Sequence, residues 1–347
     1  MAAGGEQIIS TVVARAPVRI CDAGGWTDTW FAGSGLVCNL AVGPGAEVRV
    51  RTTRRRGPAS VVLDVASFGD RYELAHGDRP GRHPLLQAAL ASAARTDDAV
   101  LEVRVGAAPP PGCGTGTSAA VVVALLGALR AAAGETVDAH EVAMAAHRIE
   151  SDDLGLQSGV QDQLAAAHGG ACAITVAEYP TAHVERLPLT PETVEAMSLR
   201  LVTVYLGRPH RSSAIHEQVI ASLEHGGRAT DESLAPLRDA AAAAAAALTA
   251  GDLEGWAEAL ALNTEIQASL HPELVSADAR RLIAIARTHG AAGWKVNGAG
   301  GDGGTVSIVG PDDAMGVARL SEAVAEHSDW RILPLAPDLD GLSISTT

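Results

Sequence analysis

Residues 109–134, PPPGCGTGTSAAVVVALLGALRAAAG, constrain the fold more than any other stretch, because Gly112, Gly114 and Gly116 alternate and then run straight into a long apolar segment. Glycine loses more backbone entropy on folding than any other residue, so an alternating set suits a backbone that something must approach closely. Pro109 to Pro111 stiffen the approach, and Ser118 stands near the start of a helix predicted to run to Gly134. A helix N-terminus offers unpaired N–H groups and a partial positive charge, which suit an anion and most commonly a phosphate. The helix is apolar nearly all round, so it is expected to be buried and to hold its N-terminus rigidly. The loop has no lysine before Thr117-Ser118, so it is not a Walker A loop, and its spacing is not the G-x-G-x-x-G of dinucleotide sites. Taken alone, it could also be a glycine-rich turn ahead of a core helix.

Length and charge narrow the classes. A chain of 347 residues exceeds what one core comfortably supports, so two domains are expected. The formal net charge of -15 argues against nucleic acid or an anionic membrane as partner, since both need a basic face. Cys21, Cys38, Cys113 and Cys172 show no CxxC spacing and no histidine pair at zinc-site spacing, which suits a reducing compartment. MAAGGEQIIS lacks the basic start and apolar core of a signal peptide, and the expected location is the cytoplasm.

Period-two runs at QIISTVVAR, AEVRVRT, SVVLDVAS and AVLEVRV predict that the first hundred residues are mainly strands. Helices are expected from Ser118 to Gly134, over AHEVAMAAHRIESDD before Gly155, and over SGVQDQLAAAHGG to Gly169. The alanine run from Ala240 to Ala247 reads as helix, and a boundary is expected near LPLTPETVEAM, where prolines precede a fresh strand. The class is α+β in two parts, 1–190 and 191–347, the second an antiparallel sheet covered by helices.

Three acidic positions stand out in the N-terminal half. In HRIESDDLGLQSGVQDQ, Glu150 falls near a helix end, where an acid opposes the macrodipole, which suggests a functional role. Asp162 lies in the first turn of the next helix, where Ser158 and Gln161 have the form of a capping box, so the dipole accounts for it without catalysis. A phosphoryl-transfer enzyme needs a phosphate loop, oxygen ligands for magnesium and a carboxylate for the acceptor's proton, and Ser118, Glu150 and Asp162 could meet those needs. Near the N-terminus, Gly24-Gly25 precede Trp26-Thr27-Asp28. Thr27 and Asp28 can bond vicinal hydroxyls, and Trp26 or Trp30 could face a sugar ring, although core packing also explains a single tryptophan. A second glycine-rich stretch, Gly298 to Gly304, lies between two short strands and could be a flexible hairpin.

In order, RAPVRICDAGGWTD, PPGCGTGTSAA, SGVQDQ and KVNGAGGDGG resemble the motifs of the GHMP kinases, the family of galactokinase, homoserine kinase, mevalonate kinase and phosphomevalonate kinase. The resemblance spans nearly the whole chain. It implies a mixed α/β N-terminal domain with the ATP loop and sugar site, and a C-terminal ferredoxin-like, helix-covered antiparallel sheet. It implies ATP and Mg2+ as cofactors, with Asp162 acting on the substrate hydroxyl and Arg19 assisting transfer. Pro111, Gly112, Cys113, Gly114, Thr115, Gly116, Thr117 and Ser118 match the loop around the ATP phosphates, and Ser118 and Glu150 match the magnesium ligands. Trp26, Thr27 and Asp28 are expected at the sugar, with Gly300 and Gly301 in the third-motif loop.

Departures matter as well. Thr115 and Thr117 replace the usual Leu and Ser, Asp302 interrupts the glycine run, and GGWTD lacks the acid and histidine of the galactokinase motif, so galactose is not supported. GGWTDT resembles the fucokinase type, whereas QDQLAAAHGG and RPHRSSAIHEQ resemble kinases of D-glycero-D-manno-heptose 7-phosphate. A sugar phosphate would need further cations, for which Arg211, His210 and Arg208 are candidates. The expectation is a kinase of an anomeric hydroxyl on a sugar or sugar phosphate, first a heptose 7-phosphate, in a monomer or homodimer. The alternatives are a fucokinase-type enzyme and a sensor that binds sugar and nucleotide without turnover.

Overall fold

The computed structural model describes residues 7–54, 60–75, 81–94, 99–208 and 214–347. The alternating segments become β1 (Gln7–Ala23), β2 (Gly35–Arg54), β3 (Ser60–Val65), β4 (Asp70–Ala75) and, after helix α1 (Pro84–Ala93), β5 (Ala99–Ala107). In β2, Val48 and Val50 are buried while Arg49 and Arg51 point outward, the alternation expected of a sheet with one covered face. The helical stretch follows as α2 (Thr117–Ala132), α3 (Ala139–Arg148), a π turn at Ile149–Asp153, and α4 (Gln161–His168). Then come β6 (Ala171–Glu178), β7 (Thr181–Arg186), α5 (Pro191–Arg200) and β8 (Leu201–Tyr205). Three long helices, α6 (Ala214–Gly226), α7 (Arg228–Ala250) and α8 (Leu253–Leu270), precede α9 (Ala277–Thr288). The chain ends with β9 (Gly293–Val296), β10 (Thr305–Val309), α10 (Ala314–Ala325), β11 (Arg331–Leu333), β12 (Ala336–Pro337) and β13 (Ser343–Thr346).

Two sheets organise these elements. The larger, with nine strands, runs β13-β1-β2-β5-β3-β4, with β12 and β6 also on β2 and β7 on β6. The smaller runs β11-β8-β10-β9, all antiparallel, which with the intervening helices is the ferredoxin-like order. The class is therefore the mixed two-sheet α/β arrangement expected. The last strands cross the split expected after residue 190, because β12 pairs with β2 and β13 with β1, in the first sheet.

Helix α2 is buried from Ala119 to Leu129 and packs on β1 and β2, which fixes its N-terminus as the sequence implied. Gly127 lies inside it because a Cβ there would meet the Leu342 methyls at 3.0 Å. The alanine run is helix α7, with Ala240, Ala241 and Ala244 facing the core. The TPETVEAM segment differs from expectation: it forms α5, with Thr190 accepting from the Thr193 amide at 3.2 Å and Pro191 in the first turn. That is an N-cap followed by Pro, a helix start that the reading of this segment as a boundary overlooked.

Candidate active site

Strand β1 delivers the first charged group. Arg19, only 5% exposed, bonds through its backbone N–H to the Thr115 carbonyl at 3.0 Å, tying the strand to the glycine loop. Its Nε donates to Asp162 Oδ1 at 2.8 Å, and Nη1 donates to the Gly114 carbonyl. Burial works against the guanidinium charge, but Asp162 and Asp22 outweigh it and hold the group above its ordinary pKa. Arg19 and Asp162, expected to act together, are in direct contact.

The first glycine loop is built by alternation. Gly112, Gly114 and Gly116 take φ of 70°, 79° and 70°, so the intervening side chains turn inward. Cys113 Sγ and Thr115 Oγ1 meet at 2.8 Å, and Thr115 Oγ1 lies 3.2 Å from Thr117 Oγ1. The side chains of Cys113 and Thr115 are therefore interior, and the expectation that these two residues meet the ATP phosphates does not extend to their side chains. Gly114 and Gly116 line the cleft, Pro111 and Gly112 are exposed and do not line it, and Ser118 is exposed in the first turn of α2. Among the described residues no side chain caps that helix, so its first amides are left for another acceptor.

The carboxylates converge, though not through a capping box. Ser158 Oγ donates to Glu150 Oε2 at 2.8 Å, and Gln163 Nε2 donates to the same oxygen at 2.7 Å. The expected Ser158–Gln161 box is absent. Instead Asp28, distant in sequence, caps α4, its Oδ2 accepting from the Gln161 amide at 3.0 Å. Burial pushes Glu150 up to about 7 and Asp28 up to about 6, with the nearby Asp162 charge adding to both. Tyr179 donates to the Ser158 carbonyl at 2.9 Å and meets His147 Nε2 at 2.8 Å, which clamps the segment carrying Ser158.

The Trp26-Thr27-Asp28 island is strained backbone, with Cys21 at φ 56° and Trp26 at φ 79°. Non-glycine residues hold such a conformation only where surrounding structure enforces it. Trp26 lines the cleft together with Trp30, Phe31 and Ile220, forming its apolar wall. Asp28 also lines it. Thr27 does not: it is wholly buried, its hydroxyl donates to the Gly24 carbonyl at 2.7 Å and accepts from the Leu36 amide at 3.1 Å. Its expected sugar contact is corrected to a backbone brace.

The second glycine loop also departs from expectation. Gly298 and Ala299 face the cleft, whereas Gly300 and Gly301 are buried against Leu274, whose carbonyl accepts from the Gly301 amide at 2.8 Å. A Cβ at Gly300 would lie 2.2 Å from that carbonyl oxygen. Gly300 and Gly301 therefore support the loop and do not touch a ligand in the cleft. Arg208 is engaged by Asp278 and, at 3.6 Å, by Asp302, which gives the aspartate that breaks the glycine run an ion-pair role. Trp294 lies in the core of the small sheet beneath Arg287. Arg211 and His210 lie outside the described residues.

Three contributors escaped sequence reading. Asp22 is fully buried, accepts from the Gly298 amide at 3.0 Å and lines the cleft. Lys295, 1% exposed, donates to Gln267 Oε1 at 3.0 Å, and burial lowers its pKa. His216 on α6 closes the far wall. Each is a lone polar residue in an apolar or ordinary setting, and only a charge at a strand position, as in VRICDAG and GWKVNG, hinted at the first two.

The cleft that results holds about 340 Å³ and brings together Arg19, Asp28, Asp162 and the first glycine loop. Residues 85–170, which include that loop, Glu150 and Asp162, match the family described as "GHMP kinases N terminal domain". That segment is similar to the N-terminal domain of the GHMP kinases. No curated protein matches the sequence. Beyond that segment, the whole chain shares its fold with solved kinases. A D-glycero-D-manno-heptose 1-phosphate kinase from Bacteriodes thetaiotaomicron is 20% identical, with TM-score 0.74 over 96% of this chain and 98% of that one. A putative sugar kinase from Campylobacter jejuni is 17% identical, with TM-score 0.73 over 97% and 98%. Lactococcus lactis galactokinase, solved with galactose, is 17% identical, with TM-score 0.68 over 96% and 95%.

Among the described residues, no cluster of three His, Cys, Asp or Glu side chains could hold a metal alone, and no helix is long and apolar enough to cross a membrane. The residue types of Glu150 and Ser118 suit magnesium in another way. A buried carboxylate, a hydroxyl and the phosphates of a nucleotide are hard oxygen donors, and Mg2+ is commonly held by one or two carboxylates plus substrate phosphates.

Proposed function

We propose that the protein is a magnesium-dependent kinase that moves the γ-phosphoryl group of ATP to the anomeric hydroxyl of a sugar or sugar phosphate. The observation that carries this reading is the contact of Arg19 with Asp162 at 2.8 Å, beside the backbone of Gly114 and Gly116 in one cleft. Asp162 accepts the proton of the acceptor hydroxyl, the hydroxyl oxygen forms the bond to the γ-phosphorus, and the bond from that phosphorus to the β,γ-bridging oxygen breaks, so that ADP leaves with the bridging oxygen. Arg19 offsets the charge that develops on the transferred group. The amides of the glycine loop and of the first turn of α2 bind the triphosphate. Ser118 and Glu150 would hold Mg2+, which supplies charge neutralisation on the phosphate oxygens.

The apolar wall of Trp26, Phe31 and Ile220, facing Asp28, supports a sugar as acceptor, with one face stacked and hydroxyls bonded opposite. A heptose 7-phosphate is the first acceptor to test. A second reading, a free sugar as in fucokinase-type enzymes, is favoured by one observation: among the described residues Arg19 is the only Arg or Lys lining the cleft, and it is committed to Asp162.

The experiment is a panel of aldoses and aldose 7-phosphates with Mg-ATP, read by phosphorus NMR of the product. An anomeric phosphate supports the proposal, and a primary alcohol phosphate defeats the site of transfer. Tight sugar binding without ADP release would instead support a sensor. Asp162→Asn should lower kcat by about 10³-fold while the fold is retained. Full activity in that variant would sink the proton-acceptor role.

A further inference from the structure

Two buried charges beside the cleft have no part in the reaction as written. Asp22 and Lys295 are exposed by 0% and 1%. Lys295 Nζ and Arg19 Nη1 lie 3.7 Å and 3.8 Å from the same oxygen, Asp22 Oδ1. Arg19 meanwhile directs its Nε to Asp162 at 2.8 Å. In a site this dry, charges act on one another strongly, and a carboxylate with a single cation beside it draws that cation in.

Lys295 is itself fixed. Gln267 accepts from Lys295 Nζ at 3.0 Å and donates to the Gly298 carbonyl at 3.1 Å, while the Gly298 amide donates to Asp22 at 3.0 Å. Lys295, Gln267, Gly298 and Asp22 thus form a closed ring. The ring joins the second glycine loop to β1, where the strained Cys21 gives its amide to Asn297 Oδ1 at 2.9 Å. Asp22 lines the cleft and Lys295 does not, so Lys295 can reach the chemistry only through Asp22 and Arg19.

We propose that Lys295 is a positioning residue: by balancing the Asp22 carboxylate, it leaves Arg19 turned toward Asp162 and the Gly114 carbonyl. The kinetic consequence rests on the kinase reading above. The orientation of Arg19 does not.

The test compares wild type, Lys295→Met, Asp22→Asn and the double variant, with the acceptor that the wild type uses. Lys295→Met should lose about 100-fold in kcat with both KM values nearly unchanged, the signature of misplacement and not of lost binding. The double variant should regain most of the loss, because the Asp22 charge then no longer competes with Asp162 for Arg19, and the side-chain carbonyl that Asp22→Asn leaves in place still accepts from the Gly298 amide. A double variant as slow as Lys295→Met, or a loss that appears in KM alone, overturns the proposal. Should Lys295→Met fail to fold, Asp22→Asn is compared with the double variant: equal kcat supports the balance, and a further large drop overturns it. A second arm needs no turnover. The Arg19 Nε–H resonance, assigned by its loss in Arg19→Lys, should shift in Lys295→Met and return in the double variant. A wild type that phosphorylates nothing defeats the kinase reading, whereas an Arg19 resonance that stays fixed in Lys295→Met defeats this one.

Discussion

The two glycine-rich loops have similar composition and opposite uses. In the first, Gly112, Gly114 and Gly116 hold positive φ so that Cys113 and Thr115 turn inward, and the loop opens onto an uncapped helix start. In the second, Gly298, Gly300, Gly301, Gly303 and Gly304 also hold positive φ, yet the loop is closed onto protein. The Gly301 amide goes to Leu274, the Gly304 amide to Arg208 and the Gly298 amide to Asp22. What separates a ligand loop from a structural buckle is where the N–H groups go, because a backbone donor already satisfied has little to offer a phosphate.

That contrast can be broken at several points. The largest effect is expected at the buckle: Gly300→Ala puts a Cβ 2.2 Å from the Leu274 carbonyl oxygen at φ 78°. It should cost about 3 kcal/mol or more in urea unfolding, through overpacking and backbone strain together. If stability is unchanged and only ATP binding suffers, the two loops have been assigned the wrong way round.

Next comes Glu150, whose carboxylate Ser158 and Gln163 hold. Its folded pKa of about 7 exceeds the ordinary 4.5, so without metal the unfolded chain ionises first as pH rises. This group should therefore lower stability between about pH 4.5 and 7, by an amount on the order of 3 kcal/mol, and leave a constant deficit above that. Thermal unfolding of metal-free Glu150→Gln across pH 4 to 8 should lack that slope, and a slope equal to the wild type's would contradict the buried placement.

Gly114→Ala, with a Cβ 3.1 Å from the Asn297 carbonyl oxygen at φ 79°, carries a milder clash. It should weaken nucleotide binding about tenfold by calorimetry, or about 1.4 kcal/mol, in contrast to the stability defect of Gly300→Ala. The smallest effect is expected at Thr27→Val, which removes the acceptor of the Leu36 amide and should cost about 1 kcal/mol of stability. Its acceptor KM should stay at the wild-type value, while Asp28→Asn raises it. A Thr27→Val defect confined to sugar binding would restore the role first expected for that hydroxyl.

Much of the site was legible because local chemistry wrote it. Alternating glycines ahead of an apolar helix, an acid in the first turn of α4 and a carboxylate just past the end of α3 each leave a signature within a few residues. Glu150 and Asp162 could therefore be named from their surroundings, and Arg19 from the motif around it. Thr27 and Gly300 could not be read correctly, since a hydroxyl or a glycine beside a motif looks the same whether it meets a ligand or a neighbouring strand. The Ser158–Gln161 box failed for a related reason: Asp28, more than a hundred residues away, competes for the same helix end and wins because both are buried together.

By itself the sequence determined most of the elements and the alternating glycine loop ahead of a buried helix, because helix periodicity, strand alternation and glycine backbone freedom are local properties. The tertiary structure alone decided which polar groups remain free. It used Thr27, Gly300 and Gly301 to close the fold, left Arg19, Asp28 and Asp162 at the cleft, and set Lys295 against Asp22. Those assignments depend on burial and on partners far apart in the chain, and the free energy of a buried charge or amide is set by what surrounds it in space.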